Sequence, residues 1–194
     1  MAPCATPMPP PSTNLEIKAR CRDPRATRAA AQRVATRRVG IDRQVDTYFR
    51  TRSGRLKLRE SSLSGAQLIP YLRADEPGAV RSDYRVLPVE DPVGLKRLLE
   101  ALLGVHVVVR KRREIFLYEN VRIHLDRVEG LGEFLEFEAV YDGRAVTEAA
   151  EQKKLDFLMK ELGVGEGDLL AASYEGLVRE GEATPPRTRP SSAR

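Results

Sequence analysis

The chain has 194 residues, is 41% hydrophobic and 31% charged, and carries a formal net charge of +5. That suffices for one sizeable core, while no run approaches the ~20 apolar residues that cross a bilayer, and two cysteines, Cys4 and Cys21, exclude a disulfide framework or a cysteine-based metal site. Basic residues dominate from Lys18 to Arg59 and acids from Asp126 to Glu182, which suits an anionic partner for the first part and cations held by the second.

Residues 1–13, "MAPCATPMPPPST", are rich in proline and small residues and are expected to be disordered. They have neither the basic nor the apolar region of a secretory signal, so the expected location is cytoplasmic. "NLEIKAR" (14–20) alternates apolar and polar residues as a strand does. Asp23 and Pro24 then open a helix that Gly40 is expected to close. Strands follow at 43–50 and 54–60, joined by a turn near Ser53–Gly54, and at 66–74 and 79–87 around Glu76–Pro77–Gly78. Pro70 marks an edge or a bulge.

Leu95, Leu98, Leu99, Leu102 and Leu103 recur at helical spacing between Asp91 and Gly104. A long strand at 105–118 turns at Glu119–Asn120 into one at 121–128, and 133–143 is the last strand. One closing helix carries Leu155, Leu158, Met159 and Leu162; another carries Leu169, Leu170, Ser173, Tyr174, Leu177 and Val178. The expected organisation is a disordered segment at 1–13, one folded domain at 14–180 and a disordered tail at 181–194. About eight antiparallel strands with helices between and after them define an α+β class.

Several strands repeat the charged alternation of the first. Arg55, Lys57 and Arg59 share one face opposite Leu56 and Leu58; Glu136 and Glu138 oppose Leu135 and Phe137; Arg122, His124 and Asp126 oppose Ile123 and Leu125. Like charges crowded on one strand face are unfavourable without counter-charge. The amphipathic helices at 91–103 and 147–162 meanwhile need apolar strand faces to pack on. Eight antiparallel strands can close into a barrel wide enough for a small ligand. The charged faces then line its interior, a costly arrangement unless the charges pair or a ligand completes them. A polyanion with divalent cations would do so: cationic side chains meet phosphate oxygens, and carboxylates hold Mg²⁺ or Mn²⁺.

"NLEIKAR", "QVDTYF", "GRLKLRE" and "VRKRREIFLYENVRIHLDRVEGLGEFLEFE" resemble the CYTH superfamily, the triphosphate tunnel metalloenzymes, and within it the bacterial class IV adenylate cyclase-like branch. The resemblance covers roughly Asn14 to Tyr174. The family's first-strand signature, Glu-x-Glu-x-Lys, reads here Asn14-x-Glu16-x-Lys18, so the first carboxylate is an amide. The resemblance implies an eight-stranded antiparallel closed β-barrel with a polar interior and flanking helices. It implies that Lys18, Lys57, Arg59, Lys111 and Arg113 contact phosphates, with Arg55 and Arg73 as weaker candidates, and that Glu16, Asp126, Glu136 and Glu138 hold Mg²⁺ or Mn²⁺. Lys111, Glu136 and Glu138 are the implied catalytic residues. Spacing alone leaves open whether Lys111 and Arg113 or Arg110 and Arg112 face inward; the family pattern selects the first pair.

The implied activity is cyclisation of ATP to cyclic AMP and pyrophosphate, or hydrolysis of inorganic tripolyphosphate or an organic triphosphate; both use charge stabilisation and positioning. The implied partner is a nucleoside triphosphate or tripolyphosphate, with no membrane partner and with homodimer formation left open. A nucleic-acid-binding β-protein is the rival from another class, but Asp126, Glu136 and Glu138 would repel a phosphate backbone. A silent polyphosphate binder is a third reading. His106, in "GVHVVV", reads as structural; His124 is placed to move a proton or to hydrogen-bond. Ser61, Ser62 and Ser64 read as loop residues, Tyr48 as packing residue or nucleotide contact, and "GVGEGD" (163–168) lacks the Walker pattern.

Overall fold

A computed structural model describes residues 12–73, 78–141 and 147–183. In chain order the elements are β1 (Ser12–Arg20), α1 (Pro24–Val34), β2 (Arg37–Phe49), β3 (Arg55–Ser61), β4 (Gly65–Arg73), β5 (Val80–Tyr84), β6 (Leu87–Val89), α2 (Pro92–Leu103), β7 (Val105–Tyr118), β8 (Val121–Val128), β9 (Gly132–Tyr141), α3 (Glu148–Glu161) and α4 (Tyr174–Ala183). The terminal segments expected to be disordered lie outside the described residues, apart from the first residues of β1 and the last of α4.

The strands pair in the order β3-β2-β7-β8-β9-β1-β5-β4, and β4 returns to pair with β3. Eight antiparallel strands thus close into a barrel, and the sheet keeps no free edge there. β6 extends the β5 side of this ring, pairing with residues 66–68 of β4 while β5 pairs with residues 71–73. Pro70 falls in the gap between them, where its missing N–H breaks no ladder, and its carbonyl accepts from Arg85 N at 3.1 Å.

Asp23 caps α1 by accepting from the backbone of Arg25 and Ala26, with Pro24 in its first turn. The helix stops at Val34 rather than running on to Gly40, because Thr36 is captured by the sheet: its N–H and hydroxyl both donate to the Leu117 carbonyl. β2 therefore begins six residues before the expected strand. Gly40 serves as its bulge, at a φ of 144° where the register against β7 shifts. Gly54, at φ 66°, makes the β2–β3 turn; a Cβ there would lie 2.7 Å from a Leu72 methyl.

The core sits outside the barrel. Leu15 and Ile17 of β1, Phe116 of β7, Ile123 of β8, and Leu135 and Phe137 of β9 turn outward and pack with Ala30 and Ala31 of α1 and Leu155, Leu158 and Leu162 at α3. Fully burying each large side chain there stabilises the fold by about 1.5–3 kcal/mol. α2 departs from expectation: none of its residues is buried, and Leu98 and Leu102 face outward at 55% and 70% exposure. A second apolar cluster, Tyr48, Val107, Val109, Val128, Phe134 and Tyr174, closes one end of the barrel beneath α4. The segment before α4 is extended rather than helical: Leu169 bridges to Ala19, and Leu170 N–H donates to the Lys18 carbonyl. No helix among the described residues is long and apolar enough to cross a membrane.

Candidate active site in the barrel

With the apolar alternates turned outward, the period of two along each strand sends the charged ones inward. They surround a cavity of about 690 Å³ lined by Glu16, Lys18, Lys57, Arg59, Lys111, Arg113, Glu136 and Glu138. Such a volume suits one small organic ligand, for which roughly 300–1,000 Å³ is usual. Lys111 and Arg113 are buried, while Arg110 and Arg112 lie on the outer surface.

The cations are organised by carboxylates behind them. Asp46 of β2 is 0% exposed and does not line the cavity. It accepts Arg59 Nε and Nη2 at 2.8 and 2.9 Å, Lys111 Nζ at 2.9 Å and Lys57 Nζ at 3.4 Å. Burial alone would raise its pKa, but Arg59, Lys111 and Lys57 outweigh that and hold it well below the usual carboxylate range. Asp126, expected to hold a metal, occupies the same kind of position. It is fully buried, receives Arg113 Nε and Nη2 at 2.7 and 2.6 Å and the Tyr174 hydroxyl at 2.8 Å, and does not line the cavity. Both of its oxygens accept from Arg113, whose guanidinium they orient.

Glu136 does reach the cavity. It takes Lys18 on one oxygen and Arg113 Nη2, at 3.2 Å, on the other. Lys18 and Arg113 overcome the effect of burial and keep its pKa well below normal. Glu138 is flanked more loosely, 3.6 Å from Arg122 Nη1 and 4.0 Å from Arg113 Nη1. Glu16 stands directly opposite Glu138 across the β1–β9 ladder. Lys57 is strongly perturbed: burial and the neighbouring Arg59 bring its pKa down to about 7 despite Asp46. Burial also lowers Lys111.

One expected phosphate ligand is placed elsewhere: Arg55 donates to Glu175 of α4 at 3.0 Å and does not line the cavity. The Arg73 side chain lies outside the described residues. His106 likewise meets Glu175, at 2.8 Å, so both residues fasten α4 over the barrel end. There the Tyr174 ring lies 4.1 Å below Lys18 Nζ and 5.4 Å from Lys111 Nζ. Away from Tyr174 the lining changes character: β7 continues from Lys111 and Arg113 to Ile115 and Leu117, and β9 from Glu136 and Glu138 to Val140.

Reading the strand faces alone missed Asp46, Tyr71 and Tyr174. Asp46 sits in "QVDTYF", where Val45 and Thr47 disguise the alternation, but its register opposite Arg59 is a signal that the hairpin pairing supplies. Ser61 and Ser62, expected as ordinary loop residues, both donate to Asp42 and fix the β3–β4 turn to β2.

A closed antiparallel barrel with cations and carboxylates converging in its bore defines a tunnel-type binding protein. The CYTH domain model matches residues 12–174, and the chain belongs to that family. It is similar to the "putative adenylate cyclase MJ0240" of Methanocaldococcus jannaschii, 28% identical over 142 residues that cover 70% of this chain and 74% of that protein. The PH1012 protein of Pyrococcus horikoshii superposes with a TM-score of 0.69 at 27% identity over 84% of this chain and 97% of that one. A Hippeastrum protein, the "putative adenylyl cyclase HpAC1" that is described as having a dominant triphosphatase activity, shares the fold with a TM-score of 0.55 at 18% identity, covering 88% and 96%.

Proposed function

We propose that this chain is a divalent-cation-dependent cytoplasmic enzyme that binds a nucleoside triphosphate in its barrel and converts ATP to cyclic AMP and pyrophosphate, with residues 14–180 as the catalytic domain. The observation that carries the reading is the convergence of Lys18, Lys57, Arg59, Lys111 and Arg113 with Glu16, Glu136 and Glu138 on one cavity. The five cations can meet the phosphate oxygens, and Asp46 and Asp126 together hold four of them, and Glu136 the fifth, Lys18, in place before the ligand arrives, so little reorganisation accompanies binding. The apolar stretch at Ile115, Leu117 and Val140 suits ribose and base.

Glu136 and Glu138, with Glu16 facing them, are the residues that would hold Mg²⁺ or Mn²⁺; carboxylate oxygens fit either ion. Once bound, the cation supplies charge neutralisation on phosphate oxygens. Lys111 and Arg113 stabilise charge on the reacting phosphoryl group, and the walls keep the ribose hydroxyl in line with its phosphorus. The name of the Methanocaldococcus relative, a "putative adenylate cyclase", supports the same reading.

Hydrolysis is the second reading, because the same charged cavity can hold the terminal phosphoryl group for attack by water. HpAC1, with the same fold, carries a triphosphatase description.

The test is a panel of ATP, other nucleoside triphosphates, thiamine triphosphate and tripolyphosphate with Mg²⁺ or Mn²⁺, scoring cyclic nucleotide, pyrophosphate and orthophosphate separately. Equal yields of cyclic AMP and pyrophosphate are expected. Orthophosphate alone selects the second reading; binding without any product overturns both and leaves a silent polyphosphate binder.

A further inference from the structure

The first strand departs from its family signature at Asn14, which removes a carboxylate from the bore, and the opposite wall holds a donor of another kind. His124 of β8 is 3% exposed, lines the cavity and stands in register opposite Glu136. Its Nδ1 is buried without a hydrogen-bond partner, 3.6 Å from Glu136 Oε1 and 3.9 Å from Glu138 Oε1. The donor atoms of His124, Glu136 and Glu138 all lie within 4.8 Å of one another. Two ligands each ~2.0–2.2 Å from an ion stand roughly 3–3.5 Å apart, so a modest contraction brings these three onto a common centre. Asn14 Oδ1 is a second buried acceptor without a hydrogen-bond partner, and Asn14 lines the same cavity.

Resting on the reading above, we infer that His124 Nδ1 is a direct ligand of the barrel's divalent cation together with Glu136 and Glu138. The buried orphan nitrogen is the observation that points to it. A buried ring nitrogen without a partner is unfavourable, and a cation between it and the two carboxylates would satisfy it. An imidazole donor moves selectivity away from Mg²⁺, which prefers oxygen, toward Mn²⁺ and later transition ions. The positive charge of Lys18 and Arg113 opposes a bare cation, so the ion binds best together with a triphosphate.

The experiment is pulsed EPR of Mn²⁺ bound to the untagged full chain with tripolyphosphate, made with ¹⁴N- and then ¹⁵N-labelled histidine. The chain has two histidines, and His106 is committed to Glu175. A directly bonded histidine nitrogen coupling is expected, lost in His124→Asn and retained in His106→Gln, with Mn²⁺ affinity falling roughly tenfold or more in His124→Asn. Mn²⁺ bound by oxygen ligands alone in the wild-type protein overturns the inference while leaving the proposed function intact. No Mn²⁺ binding with or without tripolyphosphate overturns both.

Discussion

Asp46 and Arg59 face each other in register on β2 and β3 and join through both arms of the guanidinium. Because Lys57 and Lys111 share the same carboxylate, one negative charge holds three positive ones. The excess is what a bound phosphate chain would neutralise. Carboxylate behind, cation in front, ligand beyond: the interior is built in that order, and it makes stability and binding interdependent.

Replacing Asp46 by Asn should therefore destabilise the unliganded protein by about 3–5 kcal/mol, since three buried cations lose their partner. For a chain of this size that lowers Tm by on the order of 10 °C. Tripolyphosphate should restore more stability to Asp46→Asn than to the wild type, because it supplies the missing negative charge. The folded-state pKa of Asp46 is depressed, so its contribution is present above ~4 and fades as pH falls through the folded value. Thermal melts at pH 7 and pH 3 check both points; a variant as stable as wild type at pH 7 refutes the three-cation arrangement.

Lys57 sets a pH dependence of binding. In the free protein its pKa is about 7, and a bound polyanion raises it. Affinity for a non-hydrolysable nucleotide analogue should thus improve as pH falls from 9 toward 7 and level off below, where the amine is already charged. The groups around it from the neighbouring strands are Asp46, Arg59, Lys111 and Arg113; of these Asp46 is held ionised and the arginines do not titrate. Lys57→Met should remove the step between pH 9 and 7 and weaken binding at pH 7 several-fold. Calorimetric titration across that range measures it, and an unchanged profile in Lys57→Met assigns the step to another group.

The barrel and its polarity were legible because alternation survives in β1, β3, β8 and β9, where Leu and Ile mark the outward face unambiguously. The choice between Lys111 and Arg110 was not legible from spacing, since "VRKRRE" is charged at every other position in both registers; closure of the barrel and the cover provided by α1 decide it. The contacts of Asp126 and Arg55 were not legible for a related reason. Alternation tells which face a residue occupies but not whether a neighbouring strand or helix intercepts its side chain, as Arg113 does for Asp126 and Glu175 for Arg55. α2 shows the opposite failure: its leucine spacing is helical, yet the β2–β3 surface leaves half of that face uncovered.

Glu138→Ala should reduce turnover by at least about 10²-fold while leaving the fold intact. Glu138 makes only long contacts with Arg122 and Arg113, so its loss leaves no closely paired buried charge stranded, unlike the loss of Asp46. Its proposed work is to hold the cation. Raising Mn²⁺ should then recover part of the activity, and Tm should change by no more than a few degrees. Full activity at low Mg²⁺ would remove Glu138 from the site. Arg59→Ala, by contrast, should raise the apparent KM for the triphosphate without Mn²⁺ rescue, because its proposed contact is with phosphate oxygens.

The outer surface carries a charge arrangement with no counterpart inside. Arg43, Arg112 and Arg127 stand in register on β2, β7 and β8, all exposed. The nearest acid in that row is Glu133, 3.6 Å from Arg127 Nε. Like charges directly opposite each other destabilise a sheet by a few tenths to about 1 kcal/mol per pair. Arg112 suffers this on both sides, so Arg112→Glu should stabilise the protein by about 0.5–1 kcal/mol at low salt, with the gain shrinking toward zero near 1 M salt as the Debye length falls to roughly 3 Å. Catalytic constants should stay unchanged, because the residue faces away from the bore. Urea unfolding at two salt concentrations reads the effect directly; a loss of stability, or a gain indifferent to salt, would show that repulsion along this row is not what governs it.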